Sequence, residues 1–310
     1  MPSRFALAID LGGTKVEAAL VDENGAVLAA SRHRAPTGPR KTADELAAGV
    51  ESVVTRARAS LPAKAALLGV GIGTAGPITV ETGTVSPLNL PAWQDYPFRD
   101  FVAALVPEAP VRLRLDGLCI TLAEHWLGAG QGTDSLMGMV VSTGVGGGLI
   151  LGGVTVSGPS GNAGHIGHIE VGGFDDLCAC GGIGCLEAVA SGPRTVAWAR
   201  AQGWAGLTGE DLSAAYAAGD PIAVAAVRRC GQAIGQAIAS ATNLVDLDVV
   251  AIGGGFSRVT PDLFDFVRAA VAERTVFSFA TRVRVVASAL SGDGPLIGAA
   301  ALIHRAELVA

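Results

Sequence analysis

Three of the chain's five cysteines, Cys178, Cys180 and Cys185, fall within eight positions in "LCACGGIGCLE", and Glu187 follows two residues later. His168 stands ten residues before the first of them. One imidazole and three thiols make the four N and S donors that a closed tetrahedral zinc site uses. The Cys-x-Cys step is not the commonest zinc spacing. On the residues alone a disulfide therefore stays open, although a cytosolic redox poise disfavours it and the odd cysteine total favours thiols or metal. A Cys-x-x-Cys redox pair is absent. Cys119 and Cys230 lie in apolar helical patterns and read as buried structural thiols.

Three glycine turns offer a different chemistry. "DLGGTK" spans Asp10, Gly12, Gly13, Thr14 and Lys15. Glycines let the backbone approach a ligand, and the exposed N–H groups of such a turn form a nest for phosphate oxygens. Thr14 adds a hydroxyl and Lys15 a charge, while Asp10 could hold Mg²⁺ directly or through water. "STGVGGG" repeats the pattern with Thr143, Gly144, Val145, Gly146 and Gly147, and "IGGG" adds Gly254 and Gly255. None is a P-loop or a dinucleotide fingerprint. Two hairpin turns facing each other across a cleft would hold a triphosphate from both sides. Asp116 follows the short strand "VRLRL" and precedes a helical stretch, which suits either a helix cap or a base reaching into that cleft.

Several elements must position these groups. The opening "FALAIDLGGTKVEAALVDENGAVLAASR" predicts strand, glycine turn, strand, Asn24-Gly25 turn, strand. Thr42 and Glu45 form a capping box before a helix whose face is Leu46, Val50, Val53, Val54 and Ala57. "ALLGVGIG" reads as a buried strand. "LMGMVVSTGVGGGLILGG" then repeats the N-terminal plan, which predicts a duplicated α/β fold with a cleft between two halves. Helices are expected from Asp220-Pro221 to Asn243, from Thr260-Pro261, and from about Pro295, with strands at "DVVAIGGGF" and "RVRVVAS".

Composition sets the frame. The chain has 310 residues, half of them apolar and 16% charged, which supports a large core and argues against disordered tails. Its 43 glycines cluster at the turns rather than spreading as linker. A net charge of −6 gives no reason to expect nucleic acid as a partner. No apolar run reaches membrane-spanning length free of glycine or charge, and Met1–Arg4 lacks a signal-peptide pattern, so no membrane partner and a cytoplasmic location are expected.

"AIDLGGTK", "STGVGGG", "GNAGHIGHIEV" and "CACGGIGCLE", in this order, resemble the ROK family of bacterial sugar kinases and sugar-responsive repressors. The resemblance spans essentially the whole chain. It implies the two-lobed actin-like ATPase (ribonuclease H-like) α/β fold with an interlobe cleft. The expected lobes are a small one from 1–112 plus about 292–310, and a large one from 113–291 carrying the cysteine motif. It implies ATP and Mg²⁺ as cofactors, and a structural Zn²⁺ on His168, Cys178, Cys180 and Cys185. Asp116 matches the general base that takes the proton from a sugar 6-hydroxyl. Glu187 and His168 match sugar contacts. Asn89 in "LNLPAW" and Gly76 in "GTAGPI" match sugar-loop positions, and Trp93 reads as packing. A homodimer is expected from the resemblance alone.

Two positions depart from the family pattern. Leu115 stands where the family usually has asparagine, and His165 where it usually has glutamate. One polar sugar contact is lost and another changes from acceptor-only to donor or acceptor. Glucose is the expected substrate, with N-acetylated hexosamines, mannose and fructose open. An inactive sugar-binding sensor is the alternative. A repressor would place a helix-turn-helix before "AIDLGGTK"; that motif begins within ten residues of Met1, so no repressor is expected.

Overall fold

A computed structural model describes residues 3–290 and 292–309. The outer limits expected for the lobes at residues 1 and 310, and Ser291 at the inner one, lie outside them. Strand β1 (Arg4–Leu11) is buried along most of its length, as its run of apolar residues requires of a central strand. It turns through Gly12–Thr14 into antiparallel β2 (Lys15–Asp22), which pairs with β3 (His33–Pro36). The strand expected directly after Asn24-Gly25 shrinks to one bridge at Val27. A 3-10 turn over Ala29–Ser31 interrupts it, because the buried Ser31 hydroxyl accepts from Leu20 N and donates to Leu28 O.

Helix α1 (Ala43–Ala59) starts at the Thr42–Glu45 capping box and buries the expected apolar face. β4 (Ala66–Thr74) follows and pairs parallel with β1. A small ribbon of β5 (Ile78–Thr79) and β6 (Thr84–Val85) leads to α2 (Phe98–Leu105). β7 (Val111–Leu115) closes the first sheet in the order β3-β2-β1-β4-β7 and runs straight into α3 (Asp116–Leu127).

The second sheet repeats that plan. β8 (Ser135–Val141) and β9 (Val145–Leu151) form a hairpin, with β10 (Val154–Thr155) at its edge. Helices α4 (Leu186–Ala190), α5 (Gly192–Ala201), α6 (Gly209–Ala217) and α7 (Pro221–Val245) come next. β11 (Val249–Gly253), α8 (Leu263–Arg274), α9 (Ser278–Thr281) and β12 (Arg284–Ala287) complete an order β10-β9-β8-β11-β12. In each sheet an antiparallel hairpin is followed by two strands parallel to its first, which is the duplication expected from sequence. α8 begins two residues after Pro261, since Thr260–Asp262 form a turn instead.

α10 (Gly294–His304) returns from the second sheet to pack on the first. Gly71 of β4 lies against the Ala299 carbonyl and Gly298 against the Cys119 carbonyl, approaches no side chain would permit. Glu124 of α3 is 1% exposed, and its carboxylate accepts from Ser288 Oγ at 2.5 Å and Ala129 N at 2.8 Å. The helix that carries Asp116 at its first position is thereby fixed to the exit of β12. Among the described residues no helix is long and apolar enough to cross a membrane.

Candidate active site

Asp10 of the first hairpin and Gly147 of the second both lie near the start of α3. In the first, Gly12 N donates to Lys15 O at 2.9 Å, and Thr37 closes it from the side by donating to Thr14 O and Gly12 O. A Cβ on Gly13 would collide with the Asn89 amide, so the expected sugar loop packs directly on the expected phosphate turn. Trp93 holds that loop from beneath: it is fully buried, stacked on Tyr96 with centroids 4.0 Å apart, and donates to Ala43 O.

Asp10, at the end of β1, pairs across the ladder with Glu17. Glu17 is 2% exposed and was not singled out from sequence. Its carboxylate takes Lys15 Nζ at 2.6 Å, Arg34 at 3.0 Å and Arg32, which also reaches Asp293 at 2.5 Å. The Lys15 ammonium is therefore anchored on the face that carries Asp10. Burial pushes the Asp10 carboxyl up to about 7, with the Asp116 and Glu17 charges adding to the rise and Lys15 and Arg32 opposing it.

In the second turn Ser142 N donates to Gly144 O, and Val145 N donates to Glu187 Oε2 at 2.9 Å. Gly144 lies under the same carboxylate, where a Cβ would come within 2.5 Å of it. Glu187 is thus held by backbone of the turn as well as by α4. Gly146 has open space above it, while Gly147 is buried against Gly117 of α3 and Gly164. Gly254, at a φ of +98°, backs onto the Val141 carbonyl and brings Gly255 beside Ser142.

Asp116 retains some surface to the cleft yet is densely surrounded by protein. Its Oδ1 accepts from Gly117 N at 2.7 Å. Burial raises its carboxyl to about 6; the Gly117 N–H opposes this and the Glu187 charge reinforces it. Beside it Leu115 is buried, and Gly76 fits only because it has no side chain: a Cβ would sit 2.6 Å from Leu115 Cδ2 and 3.3 Å from the His165 ring. His165 and His168 lie 5.8 Å apart between ring centroids. Burial, helped by His168, holds His165 below the usual imidazole range.

His168, Cys178, Cys180 and Cys185 place four donor atoms within 4.8 Å of one another. Cys180 Sγ and Cys185 Sγ are 3.7 Å apart, as are Cys178 Sγ and His168 Nδ1. That is no disulfide, and it matches the edge of about 3.8 Å expected between sulfurs at Zn–S lengths in a tetrahedron. The donor set fits a metal ion. The bridge Leu177–Ile183 and the bond from Cys178 N to Gly182 O shape the loop, and the bridge Glu170–Cys185 ties its end, just before α4, to the segment that follows His168.

Next to the second turn lies a cavity of about 870 Å³. Ser142 and Thr143 form one rim, Gly255 and Phe256 another, and α5 and α6 the walls through Ala197, Ser213 and Ala214. Of the two glycines singled out in "IGGG", Gly255 lines this cavity, whereas neither helix was expected from sequence. Their signals were present: Pro193 at the start of α5, and the Thr208–Asp211 capping box of α6.

Comparison with known proteins identifies the family and the fold. The family model described as "ROK family" matches residues 6–306. The glucokinase of Thermotoga maritima is 32% identical over 327 residues, covering 98% of this chain and 99% of that protein. The N-acetylmannosamine kinase of Yersinia pseudotuberculosis is 34% identical, covering 97% and 99%. A ROK family glucokinase from Streptomyces griseus, solved with glucose and AMPPNP, superposes with a TM-score of 0.84 at 31% identity, over 97% and 99% of the two chains.

Proposed function

The chain belongs to the ROK family and has its actin-like ATPase fold, and from that premise we propose that this sugar kinase transfers the γ-phosphoryl group of ATP to the 6-hydroxyl of a hexose, with Asp116 as general base. The observation that carries the reading is the proximity of Asp116 to Asp10 of the first hairpin and to Glu187, which binds the second turn, beside a cavity large enough for a nucleoside.

ATP lies with its nucleoside in the cavity by Gly254, Gly255 and Phe256 and its phosphates between Gly12–Lys15 and Thr143–Gly147. Asp10 would hold Mg²⁺, which supplies charge neutralisation on the phosphates. The sugar rests against Gly76, Asn89, His165, His168 and Glu187. As its O6 bonds to the γ-phosphorus, the bond to the bridging oxygen of ADP breaks and the hydroxyl proton passes to Asp116. A carboxyl near 6 suits this role, being ionised at neutral pH yet basic enough to take a proton. His168, Cys178, Cys180 and Cys185 would hold Zn²⁺, which braces the loop preceding Glu187 and takes no part in proton transfer.

Glucose is the first substrate to test. An N-acetylated hexosamine is the second reading, favoured by Leu115 and His165 at the pocket wall and by similarity to the Yersinia N-acetylmannosamine kinase. The test is ADP release from ATP·Mg²⁺ over hexoses and N-acetylhexosamines, with Asp116→Asn as the blank. Sugar-dependent release lost in the variant supports the reading and names the substrate; flat traces from folded protein reject it in favour of a sensor.

A further inference from the structure

The loop over residues 157–165, which ends at His165, meets the Gly76 loop of the other sheet through three hydrogen bonds. Val80 N donates to Ser160 O at 3.1 Å. Asn162 supplies the other two: Ile78 N donates to its Oδ1 at 2.9 Å, and its Nδ2 donates to Ile78 O at 2.6 Å. Nδ2 also reaches Ser160 Oγ at 3.0 Å. Gly161 packs on Val80 beneath this clasp.

The bidentate pairing determines more than position. A backbone N–H only donates and a backbone carbonyl only accepts, so the Asn162 amide has one workable orientation, with Oδ1 on Ile78 N. That same Oδ1 lies 3.4 Å from His165 Nε2. Being an acceptor, it requires the proton on Nε2, which leaves Nδ1 as an unprotonated acceptor.

We propose that Asn162 is a positioning residue of the sugar pocket: it clasps the Gly76 loop to the histidine loop and holds His165 as the Nε2–H tautomer, so that the ring offers the sugar a hydrogen-bond acceptor at Nδ1. The inference rests on the sugar-pocket reading above. It gives the imidazole the polarity of a carboxylate toward a substrate hydroxyl or amide N–H, without the charge.

The test separates the two. Long-range ¹H–¹⁵N spectra of the full chain at pH 8 resolve five histidines, with His165→Gln assigning the signal of interest. The expected result is an Nε2–H tautomer at His165 that becomes a tautomer mixture in Asn162→Ala. This readout needs no turnover, so it stands or falls independently of the kinase reading. In kinetics, Asn162→Ala is expected to raise the KM for the sugar about tenfold while leaving the KM for ATP unchanged, the loss of one well-made polar contact. An Nδ1–H tautomer in the unsubstituted protein, or one that Asn162→Ala leaves untouched, overturns the proposal. So does an equal rise in both KM values.

Discussion

Glu187 Oε2 accepts a hydrogen bond from Val145 N at 2.9 Å, which joins a carboxylate assigned to the sugar with an amide of the second glycine turn. One side chain would thus serve both the proposed sugar site and the proposed phosphate turn. Glu187→Gln puts at risk a bond to a charged acceptor, a change of about 1.5–3 kcal/mol. The expected outcome is a fall in kcat/KM of roughly 10- to 100-fold, with the KM for ATP and for the sugar both raised. Initial-rate kinetics with each substrate varied in turn checks it; a change confined to the sugar would show that the Val145 bond does not matter to the phosphates.

Asp116 carries the pH dependence. A general base must be ionised to act, and this carboxyl titrates near 6 rather than at the ordinary 3.8 because burial and Glu187 raise it. With saturating magnesium keeping Asp10 ionised, kcat/KM should hold level above about pH 7 and fall tenfold per unit below about 6. Asp116→Asn should lose about 10²- to 10⁴-fold in kcat with little change in either KM. An acid limb near 4 would assign the proton to a different group.

The cysteine loop should be metal-dependent. One zinc per chain is expected by elemental analysis, lost on prolonged treatment with a strong chelator or in Cys178→Ser. Because the loop precedes Glu187 directly, metal loss should weaken sugar binding about 10- to 100-fold and lower the melting temperature, with nucleotide binding less affected. Calorimetric titration with each ligand separates these effects.

The cavity wall offers a selective block. Ala197 of α5 lines the 870 Å³ space, and Asp116 is not among its lining residues. Ala197→Phe should raise the KM for ATP severalfold or more and leave the KM for the sugar unaltered, since the added ring fills volume the nucleoside needs. The same kinetic assay reads both, and a sugar-only effect would place the nucleoside elsewhere.

Much of this was legible in the residues. Capping boxes, apolar periodicity and the repeated hairpin around a glycine turn are local signals, and they located α1, β1, β2, β8, β9 and the cysteine cluster. The His168–Cys185 donors were legible from their types, whereas Asp116 and Glu187 were singled out through the family resemblance, since alone each also suits a helix start. The tertiary structure decided what stands against what. Nothing local says that Glu17 anchors Lys15 together with two arginines, that the Asn89 loop packs on Gly13, or that Asn162 reaches across to Ile78 and turns His165. The physical reason is that a propensity or a motif acts over a few residues, whereas the polarity of a buried side chain depends on donors and acceptors brought to it from distant strands. The residue at 165 is written in the sequence; the nitrogen it presents is set by an amide held in place by the opposite lip of the cleft.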